Sequence, residues 1–235
     1  MNWSDLVASV ITIAEGAGAE TLRLYKSDTL QVDSKSDDSP VSAADLAAHH
    51  YIMDRLEGLI AGVEVISEES AEARGFEAPT GDRFWLVDPL DGTKEFINQR
   101  DEFTVNIALI ERGKPVLGVV VAPALGLTWA GSPEGAFKQQ IGGTGRESIS
   151  LRAVPADGLT VTASRSHADP AALEALLKGQ RVCEVINAGS SLKNFKANGI
   201  STPNSAAAMR LRIMARPTTK PSFQPRRPSN SPPTR

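Results

Sequence analysis

Trp85-Leu-Val-Asp-Pro-Leu-Asp-Gly-Thr-Lys94 is the stretch around which this chain is organised. Its apolar start, Phe84 to Val87, suits a buried strand ending at a proline. Asp88 and Asp91 then set two carboxylates around Pro89 and Leu90, and Gly92 and Thr93 open a helical turn through Lys94 to Asn98. Hard oxygen donors beside helix-initial backbone N–H groups suit a divalent cation and a phosphate together. In isolation the same residues also describe an ordinary Pro-Leu-Asp-Gly turn. The upstream sequence decides between the two.

A chain of 235 residues, 41% of them hydrophobic, can bury a core as one large domain or two lobes. Its net charge of −3 conceals an asymmetry. Residues 201–235 carry six Arg, one Lys, no acid and seven of the 15 Pro, which leaves residues 1–200 at −10. An acidic body suits cation binding and argues against nucleic acid, which needs a basic face. The single cysteine, Cys183, excludes an internal disulfide and fits a reducing compartment. Within Arg181-Val-Cys-Glu-Val-Ile186 it is expected as a small buried strand residue. No apolar run reaches the ~18–20 residues of a transmembrane helix, and Met1-Asn-Trp-Ser-Asp lacks the basic start of a signal peptide. A cytoplasmic location is expected, with a peripheral position at the inner membrane face as the alternative.

Residues 4–26 read as an amphipathic helix capped by Ser4. Pro40 keeps Ser39 extended, and Ser42 can cap a second helix to about Ile60. Asp45 then falls in the first turn, either as a capping acid or as a site carboxylate. His49 and His50 are adjacent and cannot share a helix face, so no role is assigned to them. Val63 to Glu69 alternates like a strand and ends in the acids Glu68 and Glu69. Phe103–Ile110 and Val116–Val121 form a hairpin with Gly113 and Pro115 as turn residues, and Leu127–Ala130 extends an antiparallel meander before a loop at 142–147. After residue 158 the pattern becomes α/β: a strand at Leu159–Ala163, a helix from Asp169-Pro170 to Leu177, a strand at Val182–Ile186 and a turn at Gly189-Ser-Ser-Leu-Lys193. Ser164-Arg-Ser-His167 and Gly189-Ser-Ser191 are polar strand ends. Either they hold anionic groups through Arg165, Lys193 and backbone N–H groups, or they are simply capped loops.

Asp45, Glu68, Asp88 and Asp91 are expected to converge. Several carboxylates in one pocket repel each other unless cations neutralise them. Oxygen-only ligation selects Mg²⁺, Mn²⁺ or Ca²⁺ over zinc. Metal-assisted hydrolysis of a phosphate ester is the chemistry that follows.

Asp38-Ser-Pro-Val-Ser-Ala-Ala-Asp45, Ile66-Ser-Glu-Glu69 and Trp85-Leu-Val-Asp-Pro-Leu-Asp-Gly-Thr93 together resemble the lithium-sensitive, Mg²⁺-dependent phosphatases of the inositol monophosphatase superfamily. Gly92-Thr-Lys-Glu-Phe-Ile97, Glu102-Phe-Thr-Val-Asn-Ile-Ala108, Ser164-Arg-Ser-His167 and Gly189-Ser-Ser-Leu-Lys193 are similar to its CysQ-type 3'(2'),5'-bisphosphate nucleotidase branch. The resemblance spans roughly residues 1–195. It implies an αβαβα layered sandwich and conversion of adenosine 3',5'-bisphosphate to AMP and phosphate, in sulfur assimilation and nucleotide recycling. It also implies two or three Mg²⁺ ions held by Glu68, Asp88, the Leu90 carbonyl and Asp91. Asp45 and Thr93 would orient and activate the attacking water, and the Gly92 and Thr93 N–H groups would hold the scissile phosphate. Arg165, Ser190 and Lys193 would contact the other phosphate or the nucleotide. The implied partner is a small phosphorylated nucleotide; the oligomeric state stays open.

The chain then departs from the pattern. Family members continue with a Tyr-Pro-x-Phe-Gly stretch and a Trp-Asp-x-Ala-Ala motif, whose aspartate ligates the second metal. Here no acid follows Glu184. Residues 200–207 can be back-translated so that a shifted frame reads LYPEFGR, close to that stretch, which suggests a frameshift near residues 194–200. The expected organisation is an N-terminal α+β lobe with the metal and phosphate site (1–155), the start of a C-terminal α/β lobe with its final layer incomplete (156–200), and a disordered basic tail (201–235). Impaired phosphatase activity and a tendency to aggregate are expected. The alternatives are an inositol monophosphatase-like enzyme and a catalytically dead metal- or nucleotide-binding protein.

Overall fold

The computed structural model describes residues 2–26, 40–70, 79–150, 156–164, 174–175 and 177–192. Helix α1 (Trp3–Leu24) is capped by Asn2, whose side chain accepts from the Ser4 and Asp5 backbone N–H groups. Ser4, the cap expected from the sequence, therefore lies inside the helix. Leu6, Val7, Val10, Ile11, Ala14 and Ala17 recur at helical spacing and bury one stripe of α1. Helix α2 (Pro40–Leu56) starts earlier than the expected Ser42 cap. Proline has no N–H to leave orphaned, so it is well placed at the first helical position. Asp45 consequently sits beyond the first turn, where the helix dipole helps it less than expected.

Both helices cover one face of a seven-stranded sheet, and its strands lie in sequence order. They are β1 (Glu64–Ser67), β2 (Arg83–Asp91), β3 (Thr104–Glu111), β4 (Lys114–Ala122), β5 (Leu127–Ser132), β6 (Gly135–Gln140) and β7 (Glu147–Ile149). The first pair is parallel and the rest are antiparallel, as a meander requires. The short helix α3 (Thr93–Ile97) joins β2 to β3. Three details differ from the sequence reading. Strand β2 continues through Pro89 to Asp91, because its pairing with β3 jumps from Asp88↔Asn106 to Asp91↔Thr104 and the bulge absorbs the missing N–H. Pro115 belongs to β4, opposite Ile110 at another irregularity, and the turn itself is Arg112-Gly113, both with positive φ. The meander also continues past Leu127–Ala130, the last segment read from the sequence, through strands at Gly135–Gln140 and Glu147–Ile149 that flank the loop at 142–147.

A second sheet pairs β8 (Leu159–Ser164) with β9 (Val182–Ala188) in parallel. Residues 174, 175 and 177 are helical, in keeping with a βαβ crossover. Cys183 is exposed, contrary to expectation. It shares a strand face with Val185, itself 50% exposed, so that face of β9 is open. Helices on a mixed sheet, followed by a parallel pair, give the α/β layering expected. Residues 193–235, which include the expected incomplete layer and basic tail, lie outside the described residues. No helix among the described residues is long and apolar enough to cross a membrane.

Candidate active site

Strand alternation decides where the acids stand. Trp85, Val87, Val105, Ile107 and Leu109 face the α1–α2 core, whereas Phe84, Leu86, Ala108 and Ile110 form a cluster on the opposite face. By the same alternation Asp88 and its register partner Asn106 stand on the face away from the helices. Asp88 and Asp91 are only 5% and 3% exposed. Two carboxylates at that depth need compensation by hydrogen bonds or cations.

The neighbouring motifs arrive through packing. The last β1–β2 register pair is Ser67↔Val87, so the chain of Glu68 continues beside that of Asp88. Ala44 of α2 packs with Leu90, Phe96 and Phe103, bringing the turn of Asp45 to the end of β2 and to α3. Gly92 precedes α3 with φ +98, and a Cβ there would lie 3.0 Å from the Ser190 Cβ and 3.1 Å from the Glu102 carbonyl oxygen. This position requires glycine on both counts. Thr93 follows, exposed to solvent.

The turn at 189–192 docks onto this end of β2 from the C-terminal part of the chain. Ser191 Oγ donates to Asp91 Oδ2 at 2.7 Å, and Asn106 Nδ2 donates to Ser191 Oγ at 3.1 Å. Asn106 Nδ2 and Thr104 Oγ1 also approach Asp91 Oδ2, at 3.4 and 3.5 Å. Gly189 N–H donates to Glu102 Oε2 at 3.2 Å, and Ser190 Oγ accepts from the Leu192 N–H at 3.2 Å. Leu192 anchors the turn by burying itself with Val120, Ala122 and Trp129. Ser190 is thereby placed beside Gly92, while Arg165 and Lys193 lie outside the described residues.

The sequence reading passed over Asn106, Ser191 and His49. An amide inside Thr104-Val-Asn-Ile-Ala-Leu-Ile110 is a polar interruption of an apolar strand, which is itself a signal. His49 Nδ1 lies 2.8 Å from the Ser67 Oγ, tying α2 to the end of β1. Burial, followed by the neighbouring His50, lowers the His49 pKa below its ordinary 6.5.

Glu68, Asp88 and Asp91, with the Leu90 carbonyl between the last two in sequence, make an all-oxygen donor set suited to a hard divalent cation. Among the described residues, however, no three Asp, Glu, His or Cys side chains are clustered so as to hold one ion. The elements that carry Asp45, Glu68, Asp88 and Asp91 lie side by side, but the convergence of the acids expected from the sequence is not found as a cluster.

Residues 2–202 match the inositol monophosphatase family. The chain is 44% identical over 190 residues to the 3'(2'),5'-bisphosphate nucleotidase CysQ of Escherichia coli K12, covering 80% of this chain and 74% of that one. Its fold is similar to the crystal structure of CysQ from Bacteroides thetaiotaomicron, with a TM-score of 0.66 and 33% identity over 82% of this chain and 76% of that one. It is also similar to an inositol monophosphatase from Zymomonas mobilis, with a TM-score of 0.64 and 26% identity over 83% and 72% of the two chains. Three ordered acidic motifs, the bulged strand end that carries the third of them and this match across most of the chain agree: the protein belongs to the inositol monophosphatase family.

Proposed function

We propose that this chain is a Mg²⁺-dependent phosphomonoester hydrolase that converts adenosine 3',5'-bisphosphate to AMP and phosphate. The observation that carries this reading is the 44% identity to a bisphosphate nucleotidase over 190 residues. Glu68, Asp88, the Leu90 carbonyl and Asp91 are the groups assigned to hold Mg²⁺. The cation, when bound, supplies Lewis acidity and charge neutralisation for in-line displacement at phosphorus.

The remaining roles belong to the chain itself. Asp45 and Thr93 orient the attacking water, and the exposure of Thr93 leaves its hydroxyl within reach of solvent. The Gly92 and Thr93 backbone N–H groups hold the scissile phosphate at the start of α3. Ser190, packed against Gly92, contacts the substrate together with Arg165 and Lys193.

Turnover is proposed to be impaired. Residues 185–235 contain no Asp or Glu, so they cannot supply the distal metal-ligating aspartate that the family places after the Gly-Ser-Ser-Leu-Lys motif. Without that ligand a second cation would be held less tightly and would compensate the charge of the leaving oxygen less. Phosphate release from adenosine 3',5'-bisphosphate with and without Mg²⁺ tests the reading. Turnover below ~1 s⁻¹ that depends on Mg²⁺ is expected, and ordinary turnover would show that the distal acid is dispensable. Preference for inositol 1-phosphate would move the chain to the inositol phosphatases. Calorimetric binding of Mg²⁺ and nucleotide without hydrolysis would make it a binding protein.

A further inference from the structure

We propose that Asn106 and Ser191 are positioning residues for Asp91. They form a directional chain, Asn106 Nδ2 to Ser191 Oγ to Asp91 Oδ2, that fixes the rotation of the Asp91 carboxylate and would preorganise it as a ligand for a cation. This rests on the proposed function, in which Asp91 is a cation ligand.

The chemistry of the three groups sets the direction. A serine hydroxyl has one proton to donate and lone pairs to accept with. Ser191 donates its proton to Asp91 at 2.7 Å and accepts from Asn106 at 3.1 Å, so each group is used in the sense that strengthens the next bond. Asn106, Ser191 and Asp91 are 1%, 5% and 3% exposed, which limits competition from bulk water. The side-chain bonds from Ser191, Asn106 and Thr104 reach the same oxygen of Asp91, Oδ2. Donors gathered on one oxygen restrict the rotation of the carboxylate. Outer partners of this kind orient metal ligands and tune their affinity.

The chain also spans two parts of the molecule. Asn106 and Asp91 lie on adjacent strands of the large sheet, whereas Ser191 comes from the turn after β9. Leu192, the next residue, is buried against Val120, Ala122 and Trp129 on that sheet. Docking of the 189–192 turn and orientation of Asp91 are therefore one event. Cation binding at Asp91 and docking of the turn favour each other by linkage.

The test uses the full chain and Mn²⁺ as the probe, with free Mn²⁺ read by electron paramagnetic resonance. Ser191→Ala should raise the Mn²⁺ Kd by about 10–100-fold, the range typical of lost outer partners of metal ligands. Asn106→Leu should raise it less, and the double variant should fall well short of the product of the two single effects, because Asn106 acts on Asp91 chiefly through Ser191 and only by a long 3.4 Å bond directly. Ser191→Thr keeps the hydroxyl and should return Kd to within about three-fold of the parent. In hydrolysis, the Mg²⁺ concentration for half-maximal rate should rise while kcat at saturating Mg²⁺ stays near the parent value. Thr128→Val serves as a structural control: it removes an equally short hydroxyl-to-carboxylate bond, to Glu15 on the helix-covered face, and should leave Kd unchanged. Mn²⁺ affinity within about two-fold of the parent in both Ser191→Ala and Asn106→Leu overturns the inference alone, as does strict additivity in the double variant. A parent chain that binds no Mn²⁺ overturns the cation assignment itself, and this inference with it.

Discussion

Gly92→Ala is the substitution at which backbone geometry and packing can be separated. Gly92 has φ +98 and ψ 42, in the left-handed region, where a Cβ costs an L-residue roughly 1–2 kcal/mol. The new Cβ would also stand 3.0 Å from the Ser190 Cβ, 3.1 Å from the Glu102 carbonyl oxygen and 3.3 Å from the Phe103 Cα. Two of those atoms are backbone and cannot swing away, so overpacking adds roughly 1–3 kcal/mol. The loss of glycine freedom in the unfolded chain returns about 0.4–1 kcal/mol. The net cost is therefore roughly 1–5 kcal/mol, with ~3 as the central expectation. Gly142→Ala is the internal control, since Gly142 has φ +68 and a Cβ there meets nothing within 4 Å. Urea unfolding followed by tryptophan fluorescence suits the comparison, because Trp85 is fully buried. Gly92→Ala should lower the midpoint more than Gly142→Ala, with the difference reporting the packing cost alone. Equal costs for the two would refute the close approach of Ser190 and Glu102 to the β2 end.

Other residues give independent checks. The lowered pKa of His49 means that, between its folded value and the ordinary 6.5, the unfolded chain binds more protons. Stability should thus be full above 6.5 and fall as pH drops through the folded value, and His49→Gln should remove that part of the slope in unfolding measured at several pH values. Tyr25 donates to Asp101 at 2.8 Å while packing on Phe96 and Phe103. Tyr25→Phe keeps the ring contacts and should cost about 1 kcal/mol in the same urea assay. It should also raise the Asp101 pKa, now held low first by Lys26 and then by Tyr25, as read by NMR titration. Glu15 accepts from Thr128 at 2.7 Å, from Gln139 at 3.5 Å and from the Gly142 N–H at 3.0 Å, clamping α1 to the β5–β6 end. Glu15→Ala should cost roughly 1–3 kcal/mol without changing cation affinity, because buried donors lose a charged partner remote from Asp91.

Much of the fold was legible because its cause is local. The apolar run Phe84–Val87 and the paired runs of β3 and β4 read as buried strands without any knowledge of the partners, although only the packing assigns Trp85 and Val87 to one face and Phe84 and Leu86 to the other. Asp88, Asp91 and Gly92 were legible because a strand end that turns into a helix has few residue choices. What escaped depends on contacts distant in sequence. Pro89 stops a regular strand, and only the bulge against β3 shows how β2 continues past it. The β6 segment Gly-Ala-Phe-Lys-Gln-Gln140 has little apolar alternation, and pairing with β5 makes it a strand. Cys183 follows a buried-strand composition, yet its face of β9 is open. Asn106 and Ser191 meet across 85 residues, so neither spacing nor propensity could join them.

The deciding measurement is phosphate release from adenosine 3',5'-bisphosphate by the full chain, titrated with Mg²⁺ and compared with Asp91→Asn. A slow, Mg²⁺-dependent release that Asp91→Asn abolishes is the result expected from the roles proposed for Asp88 and Asp91 and from a segment 185–235 without Asp or Glu. Release independent of Mg²⁺, or unchanged in Asp91→Asn, would contradict it.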